Sequence, residues 1–242
     1  MQELIFVNDA DEENVMRGRV YCVGVGPGDP ELMTLKAKRL TEEKRVIAFP
    51  CSSGNPDDSR AYSIARQAVP GLEKKTLLPL RLPMVKDRAL LGEYHQKAAE
   101  EMRKLLDAGE DIVYLTIGDP SVYCTYSYLG DILKKQGIET VYVSGVPSFC
   151  AAAASLGVSI AEGEESFLVM PADRFVPGTD GDRNLVLMKA GGDTAELKKA
   201  LDTQGYDVCG AADCGMENEV LWRRSEDIPD STGYFTVMIC RR

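Results

Sequence analysis

The chain has 242 residues, 44% apolar and 27% charged, which is the make-up of a folded protein with room for one large domain or two modest ones. Its 38 acidic against 28 basic side chains leave a net charge of −10, which disfavours nucleic-acid binding over a broad basic face while allowing a local basic cleft. No run approaches the roughly 18 apolar residues of a membrane helix. The start is acidic (Glu3, Asp9, Asp11, Glu12, Glu13), unlike a signal peptide, so the expectation is a cytoplasmic protein with no membrane partner. The seven cysteines (Cys22, Cys51, Cys124, Cys150, Cys209, Cys214, Cys240) are odd in number and form no CxxC pair, which reads as reduced, mostly buried thiols. With His95 as the single histidine, zinc hydrolase, Cys–His and Ser–His–Asp chemistries lack their partners, and no metal site is expected.

Residues 1–18 read as a flexible N-terminal extension in which Leu4 to Val7 has the length of a short strand; the alternative is a start codon placed upstream of Met16. The organising stretch is Val20 to Lys36: a buried strand, the loop Gly24-Val25-Gly26-Pro27-Gly28-Asp29-Pro30, and a helix beginning near Thr34. The loop is not a dinucleotide fingerprint, because position 29 is Asp, and no GxxxxGK[ST] follows. Pro27 and Pro30 also delete N–H groups that a phosphate cradle would use. Thr34 caps a helix with Leu35 and Leu40 as its apolar positions. Val46 to Phe49 is a strand ended by Pro50. Ser59 caps a helix with Tyr62, Ile64, Ala65 and Ala68 inward, and Thr76 to Leu80 is the next strand. The basic interlude Arg81, Lys86 and Arg88 is either a solvated loop or a clamp for an anionic ligand. Glu93 to Ala108 is a helix with Tyr94, Ala98, Met102, Leu105 and Leu106 on one face, and His95 beside that face reads as packed rather than catalytic.

Ile112 to Ile117 is a strand without polar alternation, as in a sheet covered on both faces. It ends at Gly118-Asp119-Pro120-Ser121, and a helix follows through Tyr123 and Tyr126 to Gly137. Ile138 to Val143 is a strand ending at Ser144-Gly145-Val146-Pro147-Ser148, with a small-residue helix from Phe149 to Leu156. Alternating strands and helices predict a mainly parallel sheet, and right-handed crossovers put the loops after Gly24, Gly118 and Ser144 on one edge of it. After that the pattern changes. Strands at Ser166 to Met170 and Asn184 to Met188, a helix from Asp193 to Leu201, and strands at Val208 to Ala212, Val220 to Arg223 and Tyr234 to Cys240 predict a mixed sheet. The expected organisation is therefore the extension at 1–18, one α/β domain at 19–143, a second at 144–242, and a cofactor cleft between them.

The segments GVGPGDPELMTLKA (24–37), LTIGDPSVYCTYSYL (115–129), VSGVPSFCAAAASLG (143–157), LVLMKAG (185–191) and TGYFTVMI (232–239), in this order, resemble the tetrapyrrole (corrin and porphyrin) methylase family. The resemblance implies two α/β domains with S-adenosyl-L-methionine held between them, a tetrapyrrole substrate and a homodimer. Phe49-Pro50 leading into a Ser-rich insert, the segment Leu80 to Met84, and GDPSVYCTYSYL are similar to the members that methylate C20 of precorrin-2 or its cobalt form in cobalamin synthesis. Alternatives are another tetrapyrrole methylase (uroporphyrinogen or another precorrin position), a diphthamide-type methylase, or a protein that binds the cofactor and turns nothing over.

Carried over by resemblance, Ile117, Gly118, Asp119 and Tyr123 lie along the cofactor, and Val146, Pro147 and Ser148 close on its amino-acid portion. Met188, Lys189, Ala211, Ala212, Gly233, Tyr234 and Phe235 surround adenine and ribose. Gly26, Pro27, Gly28 and Asp29 face the tetrapyrrole. Asp29, Gly118, Gly145 and Asp119 are equally readable as turn-formers. Methyl transfer from a sulfonium asks for alignment and exclusion of water rather than a metal or a covalent nucleophile. Tyr123 is the candidate catalytic base, with solvent or a substrate carboxylate as alternatives. An acceptor bearing eight carboxylates needs local cations, and Arg39, Arg81, Lys86 and Arg88 are the candidates.

Overall fold

The computed structural model describes residues 17–83, 85, 87–179 and 181–242; the strand expected at residues 4–7 and the candidate cation Lys86 lie outside them. Arg17 and Gly18, read as part of the extension, are tied to the first domain: Gly18 N–H donates to the Leu106 carbonyl at 2.9 Å. In that domain β1 (Val20–Gly24), β2 (Val46–Cys51), β3 (Thr76–Arg81), β4 (Ile112–Thr116) and β5 (Thr140–Val143) form a parallel sheet in the order β3-β2-β4-β1-β5. Between them run α1 (Leu35–Glu43), α2 (Arg60–Ala68), α3 (Arg88–Asp107) and α4 (Tyr126–Lys135).

Successive strand residues point to opposite faces, and here both faces are covered. Val20, Cys22, Ile112 and Tyr114 pack with Ala98, Met102, Leu106, Leu129 and Leu133 of α3 and α4. Val23, Val113 and Leu115 pack on the other side with Ala37, Leu40, Tyr62 and Ala65 of α1 and α2. All five residues of β4 are buried, which explains its unbroken apolar run. Each fully buried Leu or Met contributes about 1.5–3 kcal/mol to this core.

The caps fall where side-chain chemistry puts them. The Thr34 hydroxyl accepts the Ala37 N–H, and the Ser59 hydroxyl accepts that of Tyr62. The expected inward Leu35 is instead 87% exposed, because the buried stripe of α1 runs through Ala37, Leu40 and Thr41. α3 begins at Arg88 rather than Glu93, because the Asp87 carboxylate accepts the Ala89 and Leu90 N–H groups. β2 continues through Pro50: beyond Ala48 it pairs with β3 alone, so no strand on the other side needs the missing N–H. α4 begins at Tyr126, leaving Tyr123 in the preceding loop.

The second domain contains α5 (Ser148–Leu156), β6 (Phe167–Pro171), β7 (Asn184–Met188), β8 (Gly192–Asp193), α6 (Ala195–Thr203), β9 (Asp207–Ala212), β10 (Val220–Trp222), β11 (Ser231–Thr232) and β12 (Thr236–Arg241). Its main sheet has the order β10-β9-β12-β7-β6; β6 and β7 are parallel and the other pairs antiparallel, so the sheet is mixed as expected. β8 and β11 form a separate two-stranded ladder. Ala152 and Leu156 of α5 pack on one face with Val186, Ala211 and Val237, while Leu201 of α6 packs on the other with Leu185, Leu187 and Met238. β12 starts two residues after the expected Tyr234, which leaves Tyr234 and Phe235 outside the ladder. Among the described residues no helix is long and apolar enough to cross a membrane.

Candidate active site

β1 lies between β4 and β5, so the loops after all three leave one edge of the sheet side by side. They touch through backbone. Gly118 N–H donates to the Gly26 carbonyl at 2.8 Å. A Cβ on Gly145 would lie 2.1 Å from the Gly118 oxygen and 2.9 Å from the Gly24 Cα, so only glycine allows this approach. Asp119 fastens the loops together: its carboxylate accepts the Gly145 N–H at 3.0 Å, the Ser121 N–H at 2.8 Å, and the Ser121 hydroxyl. Burial acts to raise its pKa, but the hydrogen bonds from Ser121 and Gly145 outweigh it and hold the carboxyl below its ordinary value.

These loops and the second domain enclose a cavity of about 430 Å³, within the range of about 300–1,000 Å³ usual for small-molecule sites. Arg60, the first residue of α2, spans the two domains. Its guanidinium lies 2.6 Å from the Asp213 carboxylate and 3.8 Å from the centre of the Phe235 ring. Lys189, just after β7, places its ammonium 5.5 Å from the ring centre of Tyr123 and 5.7 Å from that of Tyr234. Among the described residues, the non-glycine positions with positive φ are Tyr123 (48°), Lys189 (57°) and Asp213 (48°), and all three line this cavity. Backbone strain of about 1–3 kcal/mol at each is held by the surrounding fold, and such strain collects at functional sites.

Ile117, Gly118, Asp119, Tyr123, Pro147, Ser148, Met188, Lys189, Tyr234 and Phe235 of the expected cofactor set line the cavity. Val146, Ala211, Ala212 and Gly233 do not. Val146 packs beside α5, while Ala211 and Ala212 pair with Val237 and Thr236, so these three back the wall from behind. Most of the expected substrate set lies outside this lining. Pro27 lines the cavity, but its neighbours serve the protein itself: a Cβ on Gly28 would meet the Cys214 carbonyl at 2.4 Å, Gly26 bonds Gly118, and Asp29 accepts the Glu31 N–H at 2.8 Å. Arg39 pairs with Glu43 one turn along α1, Arg81 lies over the Tyr94 ring, and Arg88 is the exposed first residue of α3. None of the three reaches the cavity, whose lining cations among the described residues are Arg60 and Lys189. Tyr123, the candidate base, lines the cavity, and its hydroxyl donates to the Val169 carbonyl at 3.2 Å.

Several lining residues carried no signal in the pattern of the chain. Arg60 follows a helix cap, where a basic residue is ordinary, and Asp213 faces it from 153 positions away. His95 is packed, as expected: it is buried against Tyr128, and burial pushes its pKa down. The cysteines depart from expectation at Cys150, which is exposed, and at Cys124, which is half-buried and lines the cavity. A hydrogen bond with the Cys22 thiol, helped by Thr116 and the Tyr126 N–H and opposed by burial, lowers the Cys124 thiol to about 7. Burial raises that of Cys150. Iodoacetamide should therefore label Cys124 first at neutral pH, with a rate rising about tenfold between pH 6 and pH 8 as the thiolate forms. Peptide mapping that finds Cys150 labelled first would contradict this.

Residues 19–228 match the sequence profile of the Tetrapyrrole (Corrin/Porphyrin) Methylases. A probable cobalt-precorrin-2 C(20)-methyltransferase of Methanocaldococcus jannaschii is 37% identical over 158 residues, which span 65% of this chain and 66% of that protein. A precorrin-2 C(20)-methyltransferase of a Sinorhizobium species is 26% identical over 92% of this chain and 94% of its own. The solved structure of uroporphyrin-III C-methyltransferase from Thermus thermophilus, complexed with S-adenosyl homocysteine, has a TM-score of 0.63 at 23% identity, covering 93% of this chain and 98% of that one. Two α/β domains, one with a parallel and one with a mixed sheet, their strand-end loops gathered at one cavity, and a profile match over most of its length show that this chain belongs to the tetrapyrrole methylase family.

Proposed function

We propose that the protein is an S-adenosylmethionine-dependent C-methyltransferase that transfers a methyl group to C20 of precorrin-2 or of its cobalt form. The observation that carries this reading is the two-domain cavity under the converging loops, in a chain whose relatives include C20-methyltransferases. The cavity fits the cofactor. A Cβ on Gly118 would meet nothing nearer than 3.9 Å, so the bare backbone leaves open space at the wall. Ile117, Met188 and Pro147 supply apolar lining beside it. When bound, the cofactor supplies an electrophilic methyl group on a sulfonium centre.

In this reading Ile117, Gly118 and Asp119, with Pro147, Ser148, Met188 and Phe235, hold the cofactor, and Val146, Ala211 and Ala212 set the wall behind it. The Gly24–Gly118–Gly145 contact and the Asp119 hydrogen bonds keep the wall rigid, so that orientation supplies much of the rate. The Tyr123 ring and Pro27 border the acceptor's side of the cavity. The proton released from the methylated carbon goes to solvent or to an acceptor carboxylate. A homodimer belongs to the same reading; Tyr142 and Phe167, exposed on the edge strands β5 and β6, favour a partner surface.

The test is anaerobic incubation with S-adenosylmethionine and, separately, uroporphyrinogen III, precorrin-2 and cobalt-loaded precorrin-2, with product mass as the readout. One methyl on precorrin-2 or its cobalt form, and none on uroporphyrinogen III, is expected. Transfer to uroporphyrinogen III would reassign the acceptor. No transfer, with S-adenosylhomocysteine still bound, would reduce the protein to a binding module.

A further inference from the structure

Among the described residues, the charges that line the cavity are Asp58, Arg60, Asp119, Lys189 and Asp213, and four of these five are already answered inside the protein. Asp119 is occupied by Ser121 and Gly145. Asp58 takes the hydroxyls of Ser52 and Ser53. Asp213 accepts from Arg60 and from the Asn218 amide, and Arg60 is in turn paired with Asp213 and stacked on Phe235. Lys189 is different. Among the described residues its ammonium meets no carboxylate, only the faces of Tyr123 and Tyr234. An ammonium over two ring faces is oriented by them yet keeps N–H donors free for an anion.

The fold fixes this setting. Lys189 holds a φ of 57°, a conformation that costs a non-glycine residue strain. Ala190, immediately after it, is buried and donates its N–H to the Thr236 carbonyl at 3.0 Å, so the turn is fixed by the sheet. Tyr123 comes from the first domain and is pinned through its hydroxyl to Val169, whereas Tyr234 comes from the second domain. Both rings remain exposed, at 47% and 42%, in the wall of a cavity. Flat exposed rings suit a flat, largely apolar ligand, and a free cation between them suits a carboxylate on that ligand's rim.

We infer that Lys189, held between Tyr123 and Tyr234, is the specificity residue that receives a carboxylate of the tetrapyrrole acceptor. This moves Lys189 from the adenine and ribose side of the cavity, where the resemblance set it, to the acceptor side. The inference rests on the acceptor reading above. In a protein of net charge −10, a polyanionic acceptor must find a local cation on entering, and among the described residues Lys189 is the lining cation with no partner to give up.

The experiment compares wild type, Lys189→Met and Lys189→Arg for acceptor KM and kcat on whichever form of precorrin-2 the wild type methylates, and for S-adenosylhomocysteine affinity by calorimetry. Lys189→Met should raise acceptor KM about tenfold or more, change kcat and S-adenosylhomocysteine affinity less than threefold, and flatten the rise of KM with salt. Lys189→Arg should recover most of the loss. Unchanged acceptor KM in Lys189→Met overturns the inference. So does a parallel tenfold loss of S-adenosylhomocysteine affinity, which would give Lys189 to the carboxylate of the cofactor. If the wild type itself methylates neither form, the acceptor reading fails first and the inference falls with it, an outcome recognisable because no variant is involved.

Discussion

Gly145→Ala is expected to destabilise the protein by about 3 kcal/mol or more and to lower its thermal midpoint by about 6–12 °C. The added Cβ would sit 2.1 Å from the Gly118 oxygen and 2.9 Å from the Gly24 Cα. The three nearest atoms are all backbone, so no rotamer change relieves the clash. Relief requires the loops after β1, β4 and β5 to separate, and those loops form the cavity wall. S-Adenosylhomocysteine binding should therefore be lost at temperatures where the variant is still folded. Gly92→Ala is the matching control: that glycine is exposed inside α3, and a Cβ there meets nothing within 4 Å. Removing a helix-interior glycine should stabilise by about 0.5–1 kcal/mol. Calorimetric scans of both variants check the pair; equal midpoints would show that the three loops are not in contact.

The second large effect is expected at Asp119. Asp119→Ala leaves the Gly145 and Ser121 N–H groups without their acceptor, at a cost of about 2–4 kcal/mol. Asp119→Asn keeps one oxygen and should lose about half as much. The pH dependence follows from the direction of the shift. The folded carboxyl is held below its ordinary value, so its contribution is fully present above the unfolded value of about 3.9. It is lost as pH falls through the lower folded value. The stability gap between wild type and Asp119→Asn, read from urea midpoints, should therefore be constant from pH 7 down to about 5 and shrink in more acid solution. A gap that widens on acidification would contradict the hydrogen-bonded carboxylate.

Much of the fold was legible because local and global signals agree. Thr34 and Ser59 cap the helices they were expected to cap, and the unbroken apolar run of β4 marked a sheet covered on both faces. The three Gly/Pro/Ser strand ends pointed to one cleft, and they meet there. Boundaries slipped where a side chain outweighed periodicity, as Asp87 does in starting α3 early.

The site was legible in its loops and much less so in its charges. A basic run near a cleft loop says where cations lie in the chain, not which face they take. Arg39 is spent on Glu43, one helical turn away, and Arg81 on the ring of Tyr94. The cations that line the cavity stand singly. Arg60 meets Asp213 across 153 residues, and Lys189 is aimed by a positive φ that no residue pattern announces. Long-range pairing and backbone strain are properties of the folded chain.

The central claim is methyl transfer to C20 of a reduced tetrapyrrole, and the most direct measurement is the position of the transferred carbon. S-Adenosylmethionine carrying an isotopically labelled methyl group would be incubated anaerobically with precorrin-2 and with its cobalt form, and the product examined by NMR. A single labelled methyl bonded to the C20 bridge is the predicted result. Label at any other ring position, or no label in the macrocycle while S-adenosylhomocysteine binds normally, would contradict it.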